Sequence, residues 1–119
     1  MSNTVSIQKM KKRDGRIVEF DPQRIAIAAG KALKAAGMGS DKVARHIADD
    51  VVRELVDKGY DDELQIPDVE VIQDLVEHAF VKRGLSQAAK LYILYRASHT
   101  KIREAKKLMM DVQELVSSY

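Results

Sequence analysis

Lys11-Lys12-Arg13-Asp14-Gly15-Arg16-Ile17-Val18-Glu19-Phe20-Asp21-Pro22-Gln23-Arg24-Ile25 decides how the chain begins to fold. Asp14-Gly15 stands between two short runs of roughly alternating character. That pattern predicts a β-hairpin closed by a type I′ turn, with strands near 5–12 and 16–20. Asp21 followed by Pro22 then predicts a helix. Aspartate is a good N-cap, and proline at the first helical position gives up an N–H that has no partner there anyway. The hairpin tip therefore carries several cations and delivers the chain into a helix N-terminus, where unpaired N–H groups and the helix dipole favour an anion. Arg24 in the first helical turn opposes that dipole, and a bound phosphate would compensate it.

Downstream the apolar residues recur at helical spacing. Ile25, Ala29, Ala32, Leu33 and Ala36 mark a first helix that Gly37 ends. Ser40 caps a second, with Val43, Ile47, Val51 and Leu55 on one face and Gly59 at its close. After an acidic loop from Tyr60 to Ile66, Pro67 is expected to start a third helix, with Val69, Ile72, Val76 and Phe80 inward and Gly84 beyond its end. Ser86 is expected to cap a last, long helix. Its stripe Leu91, Tyr95, Ser98, Ile102, Ala105, Met109, Val112 and Val116 steps by threes and fours, which suits self-association or continuation into a further segment. The architecture expected is a hairpin followed by four helices.

A chain of 119 residues fits one domain, and with two Phe and no Trp its core must rest on Ile, Leu, Val and Ala. No run approaches a membrane span, and residues 1–10 lack the apolar stretch of a signal peptide, so a cytoplasmic protein is the simplest expectation. Zero cysteines exclude disulfides, a thiolate nucleophile and a cysteine zinc site. The net charge of +2 divides into +6 over residues 1–48, −9 over 49–78 and +5 over 79–119. Two basic segments flanking an acidic one suit a small anion held between them, or simply differently charged helix faces.

Three segments could carry chemistry. The first is the hairpin and helix start. The second is Val69-Glu70-Val71-Ile72-Gln73-Asp74-Leu75-Val76-Glu77, where Glu70, Asp74 and Glu77 form an acidic stripe expected to be exposed, with no nucleophile beside it. Gln73 can both donate to and accept from an adenine edge. The third is Ala88-Ala89-Lys90-Leu91-Tyr92-Ile93-Leu94-Tyr95-Arg96, whose tyrosines and arginine could stack a base or pack in a core. His46, His78 and His99 have no metal-ligand spacing, and Gly30-Lys31-Ala32 lacks the upstream glycines of a phosphate loop.

Taken in order, the three segments resemble the ATP-cone, the nucleotide-binding regulatory domain of ribonucleotide reductases. The resemblance lies in Lys12-Arg13-Asp14-Gly15 with Phe20-Asp21 and Arg24-Ile25, Ile72-Gln73-Asp74-Leu75-Val76-Glu77, and Ala89-Lys90-Leu91-Tyr92-Ile93-Leu94-Tyr95-Arg96. It implies a mainly α (α+β) fold in which an N-terminal β-hairpin caps a four-helix bundle with a long C-terminal helix. It further implies ATP or dATP under the hairpin, with Mg²⁺ accompanying the phosphates and no catalytic residue or protein metal site. Lys12 and Arg13 would lie over the nucleotide, Gly15 would shape the turn, and Asp21 would face the base or sugar. Arg24 and Lys90 would hold phosphates, and Val69 and Gln73 would line the pocket. Tyr95 and Arg96 suit either packing or framework. Val18 departs from relatives that place an acidic residue there against adenine.

The resemblance divides the chain into a cone over 1–97 and a helical extension over 98–119 leading towards an absent catalytic domain. Arg103-Glu104-Ala105-Lys106-Lys107, Met110-Asp111-Val112 and Ser118-Tyr119 resemble the linker of anaerobic ribonucleoside-triphosphate reductases, with the cobalamin-dependent class the next choice. The implied function is allosteric control of overall activity, ATP activating and dATP inhibiting through changed oligomerisation, with homo-oligomer contacts and no membrane. Two rivals stand beside it. One is a helical oligomerisation module with a degenerate nucleotide site. The other is the cone of a transcriptional repressor, which the missing zinc-ribbon cysteines make a poor fit, so DNA is not the expected partner.

Overall fold

The computed structural model describes residues 7–62 and 64–117, and side chains as far as residue 110. The elements run β1 (Lys9–Lys11), β2 (Ile17–Glu19), α1 (Pro22–Ala35), α2 (Asp41–Asp57), α3 (Val69–Lys82) and α4 (Ser86–Ser117). The mainly α fold with an N-terminal hairpin is therefore the observed one; of the first strand's expected range, residues 5 and 6 lie outside the described residues.

β1 and β2 pair antiparallel, Lys9 with Glu19, Met10 with Val18 and Lys11 with Ile17. The turn differs from the expected type I′. Gly15 N–H donates to the Lys12 carbonyl at 2.9 Å and Lys12 N–H to the Arg16 carbonyl at 2.8 Å. Within the turn only Gly15 has positive φ, at +88°, and no described non-glycine residue does. This is a type I turn followed by a left-handed residue in a bulge. Asp14 keeps negative φ because its carboxylate caps the turn, accepting from Arg16 N–H at 3.0 Å and Arg16 Nε at 2.7 Å.

The helix starts follow from their caps. Asp21 accepts from Gln23 N–H at 3.0 Å and Ser40 from Val43 N–H at 3.2 Å. The third helix starts later than expected. Asp68 is its N-cap, accepting from Val71 N–H at 2.9 Å, so Pro67 precedes the helix. Pro67 is instead buried, and its carbonyl accepts from Lys11 N–H at 2.9 Å. That bond ties the hairpin to the threshold of α3. At the other ends, Gly37, Gly59 and Gly84 supply the positive φ that lets each helix stop.

The core lies among the four helices and the hairpin. Leu33, Ile47, Val51, Leu55, Val76 and Phe80 are fully enclosed, and Ile7 and Phe20 carry it up to the hairpin. Fully burying one such side chain is worth roughly 1.5–3 kcal/mol. Asp50 on α2 takes both Arg83 Nε (2.5 Å) and Nη2 (3.0 Å) beyond the end of α3. Among the described side chains of α4, only Ala88, Ala89 and Tyr92 are core residues, and Leu91, Ser98 and Ile102 of the expected stripe are not. The inward stripe is turned by about one residue, 100° of helix, relative to the expected one. Beyond residue 100, side chains through residue 110 are exposed; those of Val112 and Val116 lie outside the described set.

Candidate functional site

The hairpin, the start of α1, one face of α3 and one face of α4 enclose a cleft of about 440 Å³. Met10, Lys12, Arg13, Arg16 and Val18 come from the hairpin, and Phe20, Asp21, Arg24 and Ile25 from the step into α1. α3 contributes Val69, Ile72, Gln73 and Val76, and α4 contributes Tyr92, Tyr95, Arg96, His99 and Arg103. The floor is apolar and aromatic and the rim cationic, a combination that suits a flat heterocycle carrying negative charge. A second concavity, about 1200 Å³ between α1 and α2, is larger but shallow, with Ala26, Gly30, Ala44 and Ala48 among its lining and no tyrosine or phenylalanine. Enclosure and chemistry favour the smaller one.

Period 3.6 explains the α4 wall. Tyr92, Tyr95, His99 and Arg103 step by three and four residues and so share a face. Their rings form a chain: Phe80 to Tyr92 at 6.0 Å between centroids, Tyr92 to Tyr95 at 6.5 Å, and Tyr95 to His99 at 4.1 Å. Burial pushes the Tyr92 hydroxyl up to about 12, so it stays neutral at the base of the cleft.

The acidic stripe on α3 is an anchor line. Arg96 donates from Nη1 to Asp74 and Glu77, each at 2.8 Å, and from Nη2 to Glu70 at 2.7 Å. Burial alone would lower the Arg96 pKa, but hydrogen bonds to Asp74, Glu77 and Glu70 outweigh it and raise it. Glu70 also pairs with Arg13 at the hairpin tip, whose other nitrogen donates to the Gln73 amide oxygen at 3.2 Å. One carboxylate thus joins the roof of the cleft to α4 through α3.

Of the eight residues singled out from sequence, Lys12, Arg13, Asp21, Arg24, Val69 and Gln73 line this cleft, and Gly15 forms the turn above it. Lys90 is not brought to it. It is exposed, about 160° around α4 from Tyr92, so its charge points to solvent. The expected anion site at the α1 N-terminus is also modified, because Asp21 already occupies one of the free N–H groups. Asp21 and Arg24 meet the cleft through their side chains. Val18 lines it as a half-buried residue. His99 and Arg103 were not singled out as site residues. Their helical phase with Tyr92 was the available signal, obscured by reading the stripe through Leu91.

The ATP cone domain family matches residues 8–101. The chain is 39% identical over 108 residues to a vitamin B12-dependent ribonucleoside-diphosphate reductase of Thermoplasma acidophilum, covering 87% of this chain and 13% of that protein. A vitamin B12-dependent ribonucleoside-diphosphate reductase of Mycobacterium tuberculosis is 33% identical over 107 residues, 90% of this chain and 14% of that one. The ribonucleoside-diphosphate reductase subunit alpha of Chlamydia muridarum is 32% identical over 113 residues, 89% and 11% respectively. The chain spans about an eighth of the length of these relatives. Hairpin, bundle, cleft and sequence agree: the chain belongs to the ATP-cone family.

Proposed function

We propose that this chain is the adenine-nucleotide sensor of a ribonucleotide reductase, taking ATP or dATP into the cleft beneath the hairpin. The observation that carries the reading is the meeting of an aromatic floor and a cationic rim, built from four separate elements, in a member of this family. The base would lie against Tyr95 and the apolar residues of α3, with the Gln73 amide and the Asp21 carboxylate as its polar contacts. Phosphates would be held by Lys12 and Arg24. Mg²⁺ would travel with the triphosphate on phosphate oxygens and water. The nucleotide pools it would sense place it in the cytoplasm.

The relatives above are diphosphate reductases, a different class from the anaerobic triphosphate reductase suggested by residues 98–119. We therefore take the parent to be a ribonucleoside-diphosphate reductase. ATP would favour its active form and dATP an inactive assembly. A coupling of about 1–3 kcal/mol between assembly states is the ordinary size for such control. Calorimetry of the chain with ATP, dATP and GTP, each with Mg²⁺, should show adenine-selective binding. Mass photometry of the full enzyme should then show different assemblies with ATP and dATP. Equal binding of GTP, or identical assemblies and activities, would overturn the reading.

One observation supports a second reading. Ile102, Leu108, Met109 and Met110 are all about half exposed or more on the distal part of α4. An oligomerisation module would use such a surface without nucleotide. A stable oligomer with no heat of nucleotide binding would favour it.

A further inference from the structure

We propose that Arg103 binds the terminal phosphate of the effector, so that the site reaches past residue 101, where the family match ends, and onto the outgoing part of α4. This rests on the nucleotide reading above and adds a residue and a specificity to it.

Six cations face the cleft: Lys12, Arg13, Arg16, Arg24, Arg96 and Arg103. Three are already committed. Arg13 pairs with Glu70, Arg16 with Asp14, and Arg96 with Glu70, Asp74 and Glu77. Among the described residues, Lys12, Arg24 and Arg103 have no carboxylate within ion-pair distance. A polyanion gains most from cations that need not first be taken from an internal partner. Arg103 is one of these, and it lies two residues beyond the family match, which ends at 101.

Position along α4 assigns the phosphate. The apolar end of the cleft is at Tyr92, and Arg103 is eleven residues further on, about 16 Å along the helix axis. A base held among the rings sends its phosphate chain outward along this wall, and its far end meets Arg103. A guanidinium is suited to that end because it can grip two phosphate oxygens at once. The contact would also couple occupancy to the distal helix, where residues 104–110 are all exposed.

The test is calorimetry on the whole chain, wild type, Arg103→Gln and Arg103→Lys, with ATP, ADP and AMP. Arg103→Gln should weaken ATP about tenfold, the loss of one charge-assisted contact, and leave ADP and AMP nearly unchanged. Arg103→Lys should recover part of the ATP affinity. Circular dichroism checks that the helices persist, although an exposed position is not expected to threaten them. An unchanged ratio of ATP to ADP affinity in Arg103→Gln, with or without general weakening, overturns the assignment and leaves the nucleotide reading standing. No binding of any nucleotide to the wild-type chain overturns both.

Discussion

Glu70 accepts from two guanidinium groups that reach it from different elements, and this explains how an acidic stripe can line a cleft with a cationic rim. Removing Arg96 would leave Glu70, Asp74 and Glu77 without their shared partner. Asp74 is 67% and Glu70 48% exposed, so both can turn to water. Glu77 at 26% is less able to. Arg96→Met is therefore expected to lower stability by about 2 kcal/mol, below the cost of breaking a fully buried pair, as read by urea denaturation. At the other end of α3, the hydrogen bond from Arg83 holds the Asp50 carboxyl below its ordinary value of 3.8. The unfolded chain binds that proton first as pH falls, so the contribution is full above about pH 4 and is lost as pH drops through the folded pKa. The stability advantage of wild type over Asp50→Asn should therefore shrink below pH 4 in acid titrations of unfolding. An advantage that stayed constant with pH would refute the assignment.

At the scale of elements, what could be read from sequence was whatever local chemistry controls. Asp21-Pro22 and Ser40 begin helices because their side chains accept nearby N–H groups, and Gly37, Gly59 and Gly84 end them by adopting positive φ. These choices involve residues only a few positions apart. Three expectations failed where local chemistry offered two similar options or where a contact across the fold decided between them. The Asp14-Gly15 turn took the bulged form because Arg16 engages the Asp14 carboxylate. Pro67 stayed outside α3 because Asp68 caps it and the hairpin uses the Pro67 carbonyl. The stripe on α4 was placed about 100° away because Leu91 and Tyr92 are both apolar enough to seed it, and only packing against Phe80 chooses. A face set by Tyr92 leaves Lys90, which the resemblance had assigned to phosphates, exposed, and brings His99 and Arg103 to the cleft. Gly15 has open space where a Cβ would lie, so Gly15→Ala is penalised by its φ of +88° and not by crowding. It should cost about 1 kcal/mol in denaturant unfolding, and Gly15→Asn should cost less.

At the scale of the whole molecule, the cleft belongs to no single element, so occupying it joins the hairpin, α1, α3 and α4. A ligand at one hundred times its Kd should stabilise the fold by about 2.7 kcal/mol, visible as a rise in Tm with ATP. A flat Tm would argue against the cleft as the site. The roof of that cleft is held by contacts across long sequence separations: Arg13 meets Glu70 57 residues away and Gln73 60 away, and Lys11 bonds to Pro67. Closing so long a loop is slow compared with forming neighbouring helices. The consequence is kinetic: α1 and α2 can fold against each other early, while the cleft closes only after α3 has docked. ATP added during refolding should then leave the early helical phase unchanged and act mainly on the unfolding rate, making the bound effector a brake on the molecule's undoing.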